Sequence, residues 1–419
     1  MSQKSYRLAK EEARQLKSIL RDLSDLVTKA DEATEGRQNS LALHSIRMDD
    51  EHHTDELLLS VQENWSGRGS HAEFKPGESI PLDKGRVLGY GIDTEVVEAT
   101  CKGVKVALKR IRYQQRIQIG QMKEINVLKE LKHRHIVKLV GSYTQKPYLG
   151  LLLWPVARCD LAFVLEFMEM DGLYDHSSDQ EPGFVEKLAE HDLNIEGLRD
   201  IVGDQNERIW SSFGCLTRAM AYLHENNVRH KDIKPSNILL SRNGIWITDF
   251  GSAKDFTADL TSTSESRERG TLRYCAPEVA SYEKSGRSAD IFSLGCVFLE
   301  MVIVLSRNHT LEDINKLRPL KNQSYEANLK HRDQWLALAG PTDTKTRHLL
   351  DEIKQMLNHD RTMRPTAKEL GLRISSIDEY SDNQPKRWLH GSCCSLQREL
   401  EVYKERIEKL EGEKRESQK

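Results

Sequence analysis

The run His230-Lys231-Asp232-Ile233-Lys234-Pro235-Ser236-Asn237-Ile238-Leu239-Leu240 constrains this chain more than any other stretch. It places two lysines, a carboxylate, a proline and a carboxamide side by side, just ahead of three branched apolar residues. The preceding stretch, Phe213 to Glu225, has the apolar spacing of a helix. A polar turn after a helix needs no such combination of groups, so the run demands a chemical explanation.

A length of 419 residues allows roughly two or three domains and easily one large core. The composition is 38% hydrophobic and 30% charged, with a net charge of −3. That balance argues against a nucleic-acid or anionic-membrane surface as the main business of the chain. Seven cysteines, at 101, 159, 215, 275, 296, 393 and 394, are odd in number and lack any CxxC spacing. They read as reduced buried thiols rather than a disulfide or zinc framework. The opening residues carry no apolar secretory core. The longest apolar run, Ile291 to Leu305, contains Glu300 and reads as a buried core helix, too short and too charged to span a bilayer. The expected location is intracellular, cytoplasmic or nuclear, with no nucleic-acid partner and no membrane span.

Residues 1–80 read as a helical and linker extension. Leu16, Ile19, Leu20, Leu23, Leu26 and Val27 form an amphipathic stripe, and Asn64 to Ser70 has the composition of a loop. Short alternating runs at Lys84 to Leu88, Val96 to Thr100 and Val104 to Ile111 predict an antiparallel meander. A helix over Gln121 to Leu131 and two more strand runs, Ile136 to Val140 and Leu149 to Trp154, follow. Beyond Pro155 the pattern turns helical, at Phe213 to Glu225, Ser288 to Leu305, Leu349 to Asn358 and Ala367 to Arg373. Residues 169–208, acidic and broken by Gly and Pro, read as an exposed insertion. Residues 307–345 are polar and without motif. In the tail 376–419, Leu396, Leu400, Tyr403, Ile407 and Leu410 form a heptad-like stripe, read as a terminal helix or solvated tail ahead of a coiled coil. The termini are the expected places for a helical partner or self-association.

Other motifs flank the opening run in a fixed order. Leu88-Gly89-Tyr90-Gly91-Ile92-Asp93-Thr94-Glu95-Val96 is a glycine-rich strand–turn–strand. Val106-Ala107-Leu108-Lys109 precedes Glu124-Ile125-Asn126-Val127-Leu128, and Leu151 to Val156 lies at the strand-to-helix transition. After the opening run come Thr248-Asp249-Phe250-Gly251, Gly270-Thr271-Leu272-Arg273-Tyr274-Cys275-Ala276-Pro277-Glu278, Asp290-Ile291-Phe292 and Arg364-Pro365-Thr366-Ala367. Read together, over residues 82–375, they resemble the eukaryotic-type protein kinase family, in its serine/threonine group.

That resemblance implies an α+β bilobal fold: a small mostly-β N-lobe (82–153), a hinge (154–160) and a larger helical C-lobe (161–375, with the insertion 169–208). It implies transfer of the γ-phosphoryl group of ATP to Ser or Thr hydroxyls of a protein substrate, with Mg²⁺, or Mn²⁺ in its place. Asp232 would orient the attacking hydroxyl, Lys234 would neutralise the transferring phosphoryl, and Asn237 and Asp249 would hold the metal. Lys109, paired with Glu124, would grip the ATP phosphates. Leu88, Gly89, Gly91, Val96, Ala107, Trp154, Val156 and Asp160 would line the ATP site, Asp160 at the ribose and Leu153 guarding the adenine pocket. Glu278 would pair with Arg364, and Asp290 would brace the loop around Asp232.

Three positions depart from the family pattern. Thr94 replaces the third glycine, Asp93 stands at the loop tip, and Lys231 replaces an arginine that grips an activation-loop phosphate. These support the alternative of a pseudokinase, a nucleotide-binding scaffold or interaction module. A kinase of small molecules fits less well, because Gly270 to Glu278 is the element that presents a peptide. Thr261, Ser262, Thr263, Ser264 and Ser266 crowd the loop between, where phosphorylation would order the segment through Lys231.

Overall fold

The structure is a computed structural model that describes residues 58–91, 93–113, 119–173, 182–255, 272–319, 322–340, 342–379, 389–391 and 393–394. The chain divides into two compact units: Gln62–Leu389, and a second made of Met1–Val61 with His390–Lys419. The N-terminal amphipathic stripe, the hydroxyl-rich loop, Gly270-Thr271 and the C-terminal heptad stripe lie outside the described residues. The following account concerns Gln62–Leu389.

The N-lobe is a six-stranded sheet. Its strands are β1 (His71–Glu73), β2 (Asp83–Tyr90), β3 (Thr94–Cys101), β4 (Val104–Arg112), β5 (Lys138–Gln145) and β6 (Tyr148–Trp154), in the order β1-β5-β6-β4-β3-β2. The three expected meander strands are present. Along β4 the alternation is physical: Val104, Val106 and Leu108 are buried, while the intervening Lys105 is exposed. Lys102 and Gly103 close the β3–β4 hairpin, both with positive φ (48° and 85°), which suits glycine at the second position. Helix α1 (Ile119–Glu130) buries Ile125 and Leu128.

The sheet also takes in residues ahead of the boundary expected near residue 80. β1 pairs in parallel with β5, His71 opposite Ser142 and Glu73 opposite Thr144. Ahead of it Trp65, 1% exposed, lies within aromatic contact distance of Phe74 (6.2 Å) and Tyr143 (6.1 Å). The reason is space. A Cβ on Gly141 of β5 would come within 2.2 Å of the Trp65 ring, so the glycine makes the seat for the indole. The turn expected at Asn64 to Ser70 thus leads into a strand of the sheet, with Trp65 as its aromatic anchor.

In the C-lobe, the short strand β7 (Cys159–Asp160) leads into α2 (Leu161–Leu173), followed by α3 (Pro182–Glu190), α4 (Ile195–Val202) and α5 (Glu207–Glu225), and then by the short strands β8 (Val228–Arg229), β9 (Ile238–Ser241), β10 (Gly244–Ile247) and β11 (Lys254–Asp255). The exposed-insertion reading of 169–208 is corrected here. Phe184, Leu188, Leu198, Ile201 and Val202 are buried, and Phe184 stacks with Phe163 at 5.6 Å and Phe167 at 6.1 Å. Its acidic residues hid amphipathic helices that belong to the core.

Helix α6 (Pro277–Ala280) is followed by α7 (Arg287–Ser306), the axis of the lobe. By length and composition α7 passes the test for a membrane span, longer than the run recognised in the sequence. Every residue from Asp290 to Leu305 is buried within the fold, which identifies it as the core helix. The motif-free stretch after it holds α8 (Leu311–Lys316) and α9 (Arg332–Ala337), with Tyr325 and Trp335 fully buried. The chain then forms α10 (Thr344–Met356), and α11 (Ala367–Glu379) packs on α5.

Candidate active site

The charged residues singled out in the sequence converge between the sheet and the helical lobe. On β4, Lys109 extends from the strand whose opposite face makes the N-lobe core. Its Nζ donates to Glu124 Oε1 of α1 at 2.8 Å and to Asp249 Oδ1 at 2.8 Å. Burial alone would lower the ammonium pKa, but the Glu124 and Asp249 carboxylates outweigh it and hold Lys109 above its ordinary value. Burial would likewise raise the Asp249 carboxyl, yet Lys109 carries it below its ordinary value. Both partners therefore stay ionised.

Asp249 adopts a left-handed backbone (φ 65°), which an aspartate tolerates better than most residues. Phe250 behind it is buried and meets the His230 ring edge-on at 4.8 Å. A Cβ on Gly251 would stand 3.5 Å from both Asp249 Oδ1 and Glu124 Oε2, so a glycine keeps that gap open.

The loop at Asp232 is braced from below. Asp290 of α7 accepts from the backbone N–H groups of His230 (3.0 Å) and Lys231 (2.9 Å). Its other neighbour is His224, Nε2 to Oδ2 at 3.1 Å. Burial would raise the Asp290 carboxyl, but these hydrogen bonds hold it below its ordinary value. The brace fixes a loop in which Lys231 has φ 68°.

Within the loop, Lys234 Nζ sits 2.8 Å from Asp232 Oδ2. Asn237 Nδ2 donates to the Asp232 carbonyl (2.8 Å) and to Oδ2 (3.0 Å). With the amide nitrogen so committed, Asn237 Oδ1 is the acceptor left for a ligand. Thr248 links this cluster to the first: its N–H donates to the Asn237 carbonyl (3.0 Å), and its own carbonyl lies 2.9 Å from His230 Nε2. The structure thus brings together Lys109, Glu124 and Asp249 as one group, and Asp232, Lys234 and Asn237 as a second.

The expected nucleotide-lining residues lie on the strands around Lys109. Gly89 pairs with Val96 on β2 and β3, Val96 pairs with Lys109, and Ala107 pairs with Leu153. Leu88 precedes Gly89 on β2. A Cβ on Gly89 would meet nothing within 4 Å, while the Gly91 N–H donates to the Thr94 carbonyl at 2.6 Å and closes the hairpin. Trp154 and Val156 follow at the end of β6, the Trp154 ring facing Lys138 Nζ at 5.1 Å.

Asp160, expected at the ribose, also caps α2: its Oδ1 accepts from the Phe163 N–H at 2.9 Å. Glu278 and Arg364 form the expected buried pair, two-pronged at 2.8 and 2.9 Å. Sequence reasoning missed His224 as a partner of Asp290 and Gly251 as the gap beside Lys109. The former carries no local signal; the latter stood inside a recognised motif.

Chemically, the cleft offers a fixed cation between two carboxylates, beside a carboxylate–amine pair with one amide acceptor. Such a set suits a polyanionic phosphate donor and a hydroxyl to be oriented toward it.

Residues 82–372 match the family model described as protein kinase domain. A LEAF RUST 10 disease-resistance locus receptor-like protein kinase-like 1.1 from Arabidopsis thaliana is 27% identical over 314 residues, covering 73% of this chain and 45% of the relative. The serine/threonine-protein kinase STY46 from the same plant is 24% identical, covering 71% of this chain and 44% of the relative. The serine/threonine-protein kinase ATG1 of Komagataella pastoris is 31% identical, over 51% of this chain and 27% of the relative. The chain spans less than half the length of each of these relatives.

Proposed function

This chain belongs to the protein kinase family, and from that premise we propose that it is an active serine/threonine kinase using ATP. The observation that carries this reading is Lys109, held at 2.8 Å by Glu124 from one lobe and Asp249 from the other. A scaffold that had abandoned catalysis has no need to keep that triad closed.

In this reading Asp232 accepts the hydroxyl proton of the protein substrate while its bond to Asn237 keeps it aimed. Lys234, beside it, neutralises the transferring phosphoryl. Lys109 grips the nucleotide phosphates, and Glu124 positions Lys109. Leu88, Gly89, Gly91, Val96 and Ala107 enclose the nucleotide, with the backbone of Trp154 and Val156 meeting the adenine. The free Oδ1 of Asn237 and the half-exposed Asp249 carboxylate are oxygen donors that fit Mg²⁺ or Mn²⁺, which supplies charge neutralisation on the phosphate oxygens. Specificity for Ser or Thr is supported by the Lys234-Pro235 form of the loop and by the serine/threonine kinases among the relatives. An intracellular setting, cytoplasmic or nuclear, is supported by a cysteine set that is odd in number and has no CxxC spacing.

The test is label transfer from ATP, with Mg²⁺, to a generic protein acceptor, alongside Asp232→Asn. The expected loss in the variant is at least about a hundredfold, the usual span of a missing acid–base group. Equal transfer in both, or none in either while ATP still binds, refutes the reading; the second result would favour the nucleotide-binding scaffold. Phosphoamino-acid analysis separates Ser and Thr from Tyr.

A further inference from the structure

Tyr325 has no part in the site described above, yet it meets the turn Leu272–Tyr274. Tyr325 is fully buried and attached at two points. Its hydroxyl donates to Glu300 Oε1 of α7 at 2.7 Å, and its backbone N–H donates to the Arg273 carbonyl at 3.0 Å. Glu300, 2% exposed, collects two further donors from the same turn. These are the Tyr274 hydroxyl, at 3.2 and 3.1 Å from the two carboxylate oxygens, and the Arg273 guanidinium at 3.2 Å. The Ser293 hydroxyl donates to the Tyr274 carbonyl at 2.8 Å, a second tie from α7 to the turn.

The Tyr325 ring is itself held. Trp335 meets it edge-on at 5.3 Å, and the Arg318 guanidinium lies 4.2 Å from its centroid. Arg318 is in turn fixed by the Gln323 carbonyl (2.9 Å) and Asn315 Oδ1 (2.5 Å). An aromatic residue that merely filled the core would need neither a hydroxyl on a buried carboxylate nor a backbone tie to the turn. Burial and Glu300 both keep the Tyr325 hydroxyl protonated, so it serves as a donor throughout the neutral range.

We propose that Tyr325 is a positioning residue for the protein substrate: it straps the turn Leu272–Tyr274 to α7 and so holds the peptide-presenting surface in one conformation. The proposal rests on the kinase reading above. A substrate that meets an ordered surface binds with its intrinsic affinity, whereas one that meets a partly populated surface binds more weakly in proportion. The nucleotide, bound at Lys109, has no stake in that order.

Tyr325→Phe removes the hydroxyl and leaves the ring. The expected result is a rise in KM for the protein acceptor of about three- to tenfold, as the competent conformation loses population. KM for ATP stays within about twofold, and amide exchange over residues 272–276 quickens. Unchanged exchange in that turn overturns the proposal, whether or not the wild-type chain transfers phosphate. So does an unchanged acceptor KM in an active enzyme, or a change in both KM values that follows a lowered melting temperature. Wild-type protein without transfer, by contrast, refutes only the kinase reading, because exchange still reports on the strap.

Discussion

Replacing Trp65 by alanine asks whether the chain ahead of residue 81 is part of the N-lobe. The indole is 1% exposed, and its Nε1 donates to the Ser70 carbonyl at 3.1 Å, just before β1. Truncating a tryptophan in such a seat costs about 3–5 kcal/mol, the transfer term plus the cavity left behind. A whole domain holds only about 5–15 kcal/mol, so the loss is large. Gly141→Ala attacks the same contact from the other side, since its new methyl would stand 2.2 Å from Cδ1 of the indole. Overpacking of that kind costs about 1–3 kcal/mol. In the Trp65→Ala background the methyl enters vacated space on a strand that favours alanine over glycine. The double variant should then be no less stable than Trp65→Ala alone, a coupling of about 1–3 kcal/mol. Urea unfolding followed by circular dichroism measures all four proteins. If the two losses add within about 0.5 kcal/mol, the indole does not sit on Gly141 and the reading of Trp65 as the anchor of β1 is refuted.

Asp160→Ala distinguishes a helix cap from a ribose ligand: loss of the cap lowers stability by about 0.5–2 kcal/mol while KM for ATP is unchanged. A marked rise in that KM with stability intact would instead assign Asp160 to the ribose. Asp290 has a folded pKa below its ordinary 3.8, so its contribution is complete above that value and disappears as pH falls through the folded pKa. Asp290→Asn should therefore be less stable at neutral pH and show a flatter acid limb. A wild-type and variant acid limb of equal steepness would contradict that assignment.

The parts of the fold legible in the sequence were those with a local signature. β4 announced itself because Val104, Val106 and Leu108 alternate with polar neighbours, and that alternation sets Lys109 on the cleft side. The loop His230 to Asn237 was legible because its groups are contiguous, although what holds it, Asp290, comes from α7 some sixty residues on, with His224 at the end of the helix just before the loop. β1 was not legible: three residues are too few for a period, and its partner β5 lies some seventy residues on, His71 opposite Ser142. The helices between 182 and 202 were obscured by their own exposed acids, while the buried stripe of Phe184, Leu188, Leu198 and Ile201 told the truer story. Asp160 shows a second kind of non-local meaning: its position matches a family role, and the next turn of helix adds a cap to the Phe163 N–H that the motif did not announce. Glu300 is the clearest case of a residue whose meaning is non-local. Within an apolar run it looked like a blemish, and only Tyr274, Arg273 and Tyr325, gathered by the tertiary fold, explain a carboxylate there.

The parallel pairing of β1 with β5 changes what the sheet shows to other molecules. Without it, β5 would be a long, largely buried edge carrying Val140 and Tyr143, with unpaired amide and carbonyl groups ready to template another chain. With it, the outermost strand on that side is three residues long and ends in Glu73, which gives an incoming strand little to extend. A fragment begun at residue 81 would keep every residue of the cleft and yet uncover this edge together with the seat left by Trp65, a hydrophobic strip prone to self-association. The chain ahead of the cleft thus acts as a guard on the sheet, protecting the N-lobe from pairing with itself.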